Sequence, residues 1–229
     1  MYFKLTLIPI SWGGKKVDAN KAWWIEQRCQ KTVEKLKAHD FDAIYVRTKE
    51  EAVNEILKLV TPNTRVGVGG SITLRELGVL DQLKAKGNTI LDHWVPGLSK
   101  EQSIEIRKAE MTSDLFLSSS NAITVNGELV NIDGIGNRVN AMTFGPKKVI
   151  LVAGYNKIVG NVEDAIKRVR DVATPPNARR LNMEVPCAKL GGCVDCNAPH
   201  RACRIIVIHE RKPPLTDILI ILVGEELGY

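Results

Sequence analysis

The chain of 229 residues lacks any apolar run approaching the roughly 18 residues of a membrane-spanning helix. Residues 1–10 are apolar but short, contain Lys4 and lack a small-residue cleavage site, so they do not resemble a secretory signal. No concentrated basic patch occurs either, because the lysines and arginines behind the net charge of +6 are scattered. Nucleic-acid binding usually requires such a patch. We therefore expect a cytoplasmic protein that binds neither membrane nor nucleic acid.

Internal repeats and low-complexity linkers are also absent. A 44% hydrophobic and 25% charged composition is typical of a soluble globular protein with a substantial core. We predict one domain over residues 18–229, preceded by an extension of uncertain structure over residues 1–17. Helical spacing of apolar residues begins at Asp18, and further amphipathic segments alternate with short apolar strands. The pattern predicts an α/β fold.

Three local patterns make specific structural predictions. Ile72 to about Lys86 is predicted as one helix, and residues 162–172 as another that ends at Pro175-Pro176 before a short helix. Asn126-Gly127 lies between two alternating runs, which predicts a β-hairpin. The apolar run 148–153 is typical of a buried parallel strand.

A first candidate ligand loop is Gly69-Gly70-Ser71, which lies between a predicted strand and a predicted helix. Glycine lets the backbone approach an anion closely, and the first N–H groups of a helix point at such a ligand. Ser71 is a candidate helix cap, and Thr73 offers a hydroxyl donor. The P-loop lysine is missing, and a tight turn without a ligand explains the glycines equally well.

A second candidate ligand loop runs from Asp133 to Arg138, directly after the hairpin. The carboxylate of Asp133, the amide of Asn137 and the guanidinium of Arg138 suit a small polar anion, with Arg138 as a bidentate clamp. Asn121 follows another strand and is included in the predicted site. The alternative is a surface turn with a helix cap at Asn137. His93, which has no second ligand nearby, is predicted to be structural.

Four of the five cysteines lie close together near the end of the chain, as Cys187, Cys193, Cys196 and Cys203. In a reducing compartment such clustering predicts a shared metal centre, here a [4Fe–4S] cluster or tetrahedral zinc. A zinc site with His200 in place of Cys187, and reduced thiols or disulfides without metal, are the alternatives. The fifth, Cys29, lies on an apolar helical stripe and is predicted to be a core residue.

Several motifs together resemble the LUD-domain family, and in particular its short stand-alone lactate utilization proteins. The motifs are Val66–Ser71, Ser120–Ile123, Asn126–Leu129, Asp133–Arg138, Phe144–Lys148 and Val223–Tyr229. The resemblance implies an α/β fold like that of the sugar-isomerase and CoA-transferase superfamily, with a central mixed sheet flanked by helices. It also implies a part in the oxidation of L-lactate to pyruvate, shared with iron–sulfur partner proteins. This redox setting favours the [4Fe–4S] cluster over zinc in the cysteine-rich loop near the C-terminus.

The combined prediction is a lactate-utilization redox protein that binds a small carboxylate or a phosphorylated ligand and carries its own four-cysteine centre. One alternative is a non-redox enzyme on a CoA-transferase or isomerase-like fold with a structural zinc. Another is an assembly or regulatory module without catalysis. The sequence leaves open whether the chain is catalytic alone, an oxidoreductase or its subunit, and whether it forms a homo-oligomer.

Overall fold

The structure, a computed structural model, describes residues 9–12 and 15–229, with the backbone alone described for residues 9–17. The helices are α1 (Ala19–Ala38), α2 (Lys49–Leu59), α3 (Ile72–Leu77), α4 (Val79–Ala85), α5 (Lys100–Glu110), α6 (Asn137–Thr143), α7 (Val162–Arg168), α8 (Thr174–Arg180) and α9 (Cys187–Leu190). The strands are β1 (Pro9–Trp12), β2 (Lys15–Asp18), β3 (Asp42–Val46), β4 (Arg65–Val68), β5 (Thr89–Leu91), β6 (Leu115–Ser118), β7 (Ala122–Thr124), β8 (Leu129–Asp133), β9 (Lys148–Gly154), β10 (Ile158–Val159), β11 (Ile205–His209) and β12 (Asp217–Val223).

The central sheet has six strands in the order β3-β12-β9-β6-β4-β5, and every pairing in it is parallel. The predicted α/β fold with flanking helices is confirmed. The strands are parallel throughout, however, so the prediction of mixed pairing in the central sheet is wrong. The antiparallel segments form a second sheet in the order β10-β7-β8-β11 instead. A short connection over residues 125–128 joins β7 to β8 within this second sheet.

The predicted hairpin is confirmed, because β7 and β8 pair antiparallel around Asn126-Gly127. Gly127 has a φ of +99°, a conformation that glycine adopts without strain. A Cβ at this position would also lie 2.8 Å from the backbone carbonyl carbon of Lys35 in α1. The turn therefore needs glycine for its conformation and for its packing against the first helix.

The core lies on both faces of the central sheet. Along β9, Val149 and Leu151 pack with α1 and α6, whereas Ile150 and Val152 pack with α2, α3 and α4. Successive side chains of a strand point to opposite faces, so a strand covered on both faces must be apolar at every position. This explains the continuous apolar runs that predicted β9 and β12.

Two predicted helices differ from the structure. Gly78 adopts a left-handed conformation (φ +65°) and divides the predicted helix after Ile72 into α3 and α4. Pro175-Pro176 were predicted to end a helix, but they occupy the first turn of α8, where proline is tolerated because no intrahelical N–H bond is lost. A π-helical turn at Val169–Ala173 joins α7 to α8.

The start of α1 at Ala19 agrees with the predicted helical pattern from Asp18. The Asp18 carboxylate caps this helix by accepting hydrogen bonds from the backbone N–H groups of Asn20 and Lys21. Before it, β1 and β2 pair antiparallel with each other. The remaining part of the predicted extension, residues 1–8 and 13–14, lies outside the described residues.

Gly154, the last residue of β9, is a sensitive point in this architecture. A Cβ there would lie 2.4 Å from the carbonyl oxygen of Glu225 and 2.6 Å from the backbone nitrogen of Leu227. Gly154→Ala should therefore lower the free energy of unfolding by about 2–4 kcal/mol, since backbone atoms have to move. Urea unfolding measures this. Gly192→Ala is the control, because no atom lies within 4 Å of its Cβ position. Equal stability of the two variants would contradict this account.

Candidate functional site

A cavity of about 470 Å³ lies at the carboxyl edge of the central sheet. Its floor comes from residues that follow three neighbouring strands: Gly69–Ser71 after β4, Ser119 after β6 and Lys157 after β9. In open α/β sheets, ligands bind at this edge because the loops there converge without being covered by helices. We call it the carboxyl-edge cavity.

Every residue of the two predicted ligand loops lines this cavity: Gly69, Gly70, Ser71, Thr73, Asn121, Asp133, Asn137 and Arg138. The glycine loop and the loop after the hairpin are more than 60 positions apart in sequence, and the fold brings them to opposite walls of one space. The binding role of these residues stays a prediction, but their convergence is a property of the fold.

The glycine loop is shaped by packing. A Cβ on Gly70, which has a φ of +44°, would lie 2.8 Å from the Trp94 ring, and one on Gly69 would lie 2.7 Å from the ring of Phe116. Ser71 caps α3 by accepting a hydrogen bond from the backbone N–H of Leu74. The glycines thus let two aromatic rings approach the loop, which accounts for them without a ligand.

The guanidinium group of Arg138 forms its ion pair and hydrogen bonds with other residues of the protein. Its Nε lies 3.3 Å from a carboxylate oxygen of Asp133, and its terminal nitrogens donate to the side-chain oxygens of Asn121 and Asn131. They also donate to the carbonyl oxygens of Ser119 and Ile132. Burial lowers the pKa of Arg138, and the neighbouring Asp133 opposes that shift. These contacts give Arg138 a supporting role beneath the cavity, and the predicted ligand clamp is untested.

Lys157 is the cavity residue that sequence analysis missed. Its side chain is buried, and its ammonium Nζ lies 2.9 Å from both the Thr73 and Ser119 hydroxyl oxygens. Burial, together with the nearby guanidinium groups of Arg168 and Arg138, lowers the pKa of Lys157 to about 7, against a weaker opposing effect of Glu76. The signal available in the sequence was a lysine three residues beyond the end of a fully apolar strand.

His93 also lines the cavity, together with Trp94. Its Nδ1 lies 2.6 Å from a carboxylate oxygen of Glu110, and both side chains are almost fully buried, at 6% and 1% exposure. The other ring nitrogen, Nε2, would lie 3.3 Å from a Cβ on Gly70, so it faces the glycine loop. A histidine whose far nitrogen is fixed by a carboxylate presents its near nitrogen in a defined orientation. The prediction of a structural role is untested, but the position is at the cavity wall.

The four clustered cysteines, Cys187, Cys193, Cys196 and Cys203, line a second and much smaller cavity of about 20 Å³. We call it the cysteine cavity. Cys187 opens α9, and the other three lie on residues 191–204, which form neither helix nor strand. Burial raises the pKa of the Cys187 thiol, and the three other cysteines raise it further because they are close. The four cysteines therefore line one small cavity, and their role as ligands of a shared metal centre stays a prediction.

No three His, Cys, Asp or Glu side chains among residues 18–229 are arranged to hold a single metal ion. For zinc, four thiolates at about 2.3 Å from one ion would have to lie within about 4 Å of one another. His200, the alternative zinc ligand, lines the carboxyl-edge cavity and not the cysteine cavity. The described geometry thus offers little support for a closed zinc site.

The remaining cysteine, Cys29, is buried on α1 within the core, as predicted. Burial raises the pKa of its thiol to about 12. A neutral, inaccessible thiol of this kind behaves as a small apolar side chain.

The two cavities share a wall. Both cavities are lined by Cys203, Thr174, Arg201 and Ala202. The Cys203 thiol also lies 3.6 Å from the Thr174 hydroxyl, to which it donates a hydrogen bond. One cysteine of the cluster therefore stands between the thiol site and the space where a ligand would bind.

The chain is an α/β protein with a parallel sheet that is covered on both faces. Its candidate small-ligand site is the polar cavity at the carboxyl edge of that sheet, and a cysteine cluster lies beside it. Comparison with known proteins makes the assignment specific: the LUD domain model matches residues 29–223, so the chain belongs to the LUD-domain family, which is associated with lactate utilization. The predicted family resemblance is confirmed.

Two solved structures are similar to the chain at low identity. A DUF162 family protein from Deinococcus radiodurans aligns at 16% identity with a TM-score of 0.49, covering 89% of this chain and 98% of its own. eIF2B delta from Chaetomium thermophilum aligns at 14% identity with a TM-score of 0.34, covering 63% and 55% respectively. No curated protein matches the chain. Among the described residues, no helix is long and apolar enough to cross a membrane.

Proposed function

We propose that this LUD-domain protein is a redox protein that binds a small carboxylate in the carboxyl-edge cavity and holds a [4Fe–4S] cluster in the cysteine cavity. In this role it contributes to the oxidation of L-lactate to pyruvate together with iron–sulfur partner proteins. The observation that carries the proposal is the shared wall, because Cys203 lines both cavities. An electron acceptor beside the ligand space is the arrangement that a redox reaction requires.

The charges around the carboxyl-edge cavity support an anionic ligand. Lys157 and Arg168 are buried, and no Asp or Glu side chain among residues 18–229 forms an ion pair with either. The main-chain oxygen of Tyr229 lies 3.4 Å from Arg168, so Lys157 is the cation without an anionic group at this distance. A buried cation without a counter-ion carries a desolvation penalty, and a bound carboxylate would offset it. Lactate and pyruvate are both small enough for a cavity of about 470 Å³.

The cysteine cavity supports a cluster better than a single ion. In a [4Fe–4S] cluster each thiolate binds a different iron atom, so the four sulfurs can stand further apart than around one zinc. The donor set has the required chemistry, because four thiols line one cavity whose other walls include Val185, Val194 and Ala202. At about 20 Å³ the cavity would have to widen to admit a cluster. The backbone N–H of Asp195 donates to the Cys193 sulfur at 3.4 Å, a contact of the kind that tunes cluster potentials. When bound, the cluster would supply one-electron transfer.

Metal content on protein purified without oxygen tests this proposal. We expect about four iron and four sulfide per chain, with the broad visible absorbance of an iron–sulfur cluster. Cys203→Ser should lose most of this iron and slow lactate-dependent electron transfer to added partner proteins. Cys29→Ala should keep the iron, since that thiol is buried in the core away from the cluster. One zinc per chain, or no metal, would refute the cluster and favour a non-redox enzyme or an assembly module.

A further inference from the structure

We infer that Lys157 is a reactive amine that captures a 2-oxo carboxylate in the carboxyl-edge cavity as an imine. The inference rests on the proposed function for the class of ligand, because pyruvate is such an acid. It adds a covalent binding step that involves no metal.

The hydrogen bonds of Lys157 leave one position on its nitrogen unused. The Thr73 hydroxyl donates its proton to the carbonyl oxygen of Leu227, and the Ser119 hydroxyl donates to that of Ser120. Both hydroxyl oxygens can therefore only accept from Lys157, and both lie 2.9 Å from its Nζ. A neutral amine has two N–H donors and one lone pair. With both donors engaged by the hydroxyls, the lone pair is the part of the group left for a ligand in the cavity.

The surroundings of Lys157 disfavour its charged form. The side chain is 4% exposed, and none of the ion pairs among residues 18–229 involves it. Arg168 and Arg138 are near enough to repel a proton, and Glu76 is the acidic group that opposes them. With a pKa of about 7, a large fraction of the amine is neutral at physiological pH. Desolvated lysines beside other cations are the ones that act as nucleophiles.

The reaction balances without an oxidant. The amine lone pair attacks the keto carbon of the ligand, a C–N bond forms, and the carbonyl oxygen takes a proton to give a carbinolamine. The nitrogen then loses its second proton while the hydroxyl leaves as water, which produces the C=N bond of the imine. His93, which is oriented by Glu110, lines the same cavity and offers a ring nitrogen that can carry protons between the amine nitrogen and the oxygen of the ligand.

Reductive trapping tests the inference. The full-length protein is incubated with pyruvate and sodium cyanoborohydride, digested and mapped by mass spectrometry. We expect the peptide with Lys157 to gain one pyruvate minus one oxygen atom, which is the reduced imine. Lys157→Arg and Lys157→Met should each lower labelling at least about tenfold, and a melting curve confirms that they are folded. Lys147→Arg is the control, since Lys147 is an exposed lysine paired with Asp114.

The pH dependence of trapping separates Lys157 from surface lysines. Its labelling rate should rise through about pH 7 and then level off, because the neutral amine is the nucleophile. Exposed lysines should continue to gain reactivity towards their ordinary pKa near 10.4. Labelling spread over exposed lysines, or an unlabelled Lys157 in folded protein that pyruvate nevertheless stabilises, would overturn the inference.

Iron content measured on the same preparations keeps the two proposals apart. Labelling of Lys157 in protein without iron would refute the cluster proposal and support the imine inference. Iron together with an unreactive Lys157 would refute the imine inference and support the cluster proposal.

Discussion

Replacing Arg138 with alanine is expected to lower the free energy of unfolding by about 3–5 kcal/mol. The guanidinium is buried and donates to five acceptors on two segments of chain, which include the carboxylate of Asp133 and the amide oxygens of Asn121 and Asn131. Its removal takes one donor from each of these acceptors and leaves the Asp133 carboxylate without its cationic partner, which is the most costly of the losses. Asn121, Asn131 and Asp133 still accept hydrogen bonds from backbone N–H groups, which limits the loss. Chemical denaturation of the purified variant measures the effect.

Arg138→Lys should recover little of this loss, since an ammonium cannot reproduce the planar fork that reaches two amides at once. Lys147→Ala is the matched control: it removes an exposed ion pair with Asp114, which contributes less than about 1 kcal/mol. An Arg138→Ala protein that unfolds like the wild type but no longer binds pyruvate would instead show that this guanidinium is a ligand clamp.

Replacing Lys157 with methionine should raise the free energy of unfolding by about 1–3 kcal/mol at pH 6 to 7. The wild-type side chain is buried beside Arg168 and Arg138, so its charged form costs stability, whereas methionine fills the same space without charge. The gain is limited because the Thr73 and Ser119 hydroxyls lose a donor, although both keep their bonds to carbonyl oxygens.

The increase in the free energy of unfolding caused by Lys157→Met should become smaller as the pH rises. The folded pKa of about 7 lies below the ordinary lysine pKa of 10.5, so between these values the unfolded chain binds a proton that the folded chain lacks. Wild-type stability therefore gains from this residue as pH rises through that window. The difference between variant and wild type should be largest below pH 7 and shrink towards pH 10.5. A constant difference would show that Lys157 keeps an ordinary pKa.

The sequence predicted both ligand loops, because polar and glycine residues directly after an apolar strand are visible without a structure. Gly69–Ser71 and Asp133–Arg138 indeed line one cavity. Their proximity was harder to predict. It depends on the position of the hairpin sheet beside the carboxyl ends of β4 and β6, and strand order is set by tertiary packing that no local pattern records.

Lys157 and the pair His93 and Glu110 could not be recognised in the same way. Lys157 lies next to apolar residues, and a lysine is ordinarily exposed, so its burial becomes evident only when three strand ends meet around it. His93 and Glu110 are separated by 17 positions, and their contact depends on how α5 packs beside β5. Pairs of this kind arise from the fold and not from the spacing.

The cysteine spacing predicted convergence, and the four thiols do line one cavity. The spacing does not distinguish the metal, because zinc and iron accept the same thiolates and differ in how far apart these must stand. The strand pairing of the central sheet could not be predicted from the sequence either. The apolar runs predicted buried strands, but whether the hairpin joins the central sheet depends on which edges remain open.

The position of β12 between β3 and β9 has a consequence for biosynthesis. Residues 42–154 leave the ribosome before the strand that connects β3 to the rest of the sheet, and the four cysteines also precede that strand. A nascent chain that ends before Asp217 exposes two unpaired apolar strand edges, which are templates for aggregation. The protein should accordingly need chaperone protection until its last strand is made, and the thiols should emerge while the surrounding domain is still open.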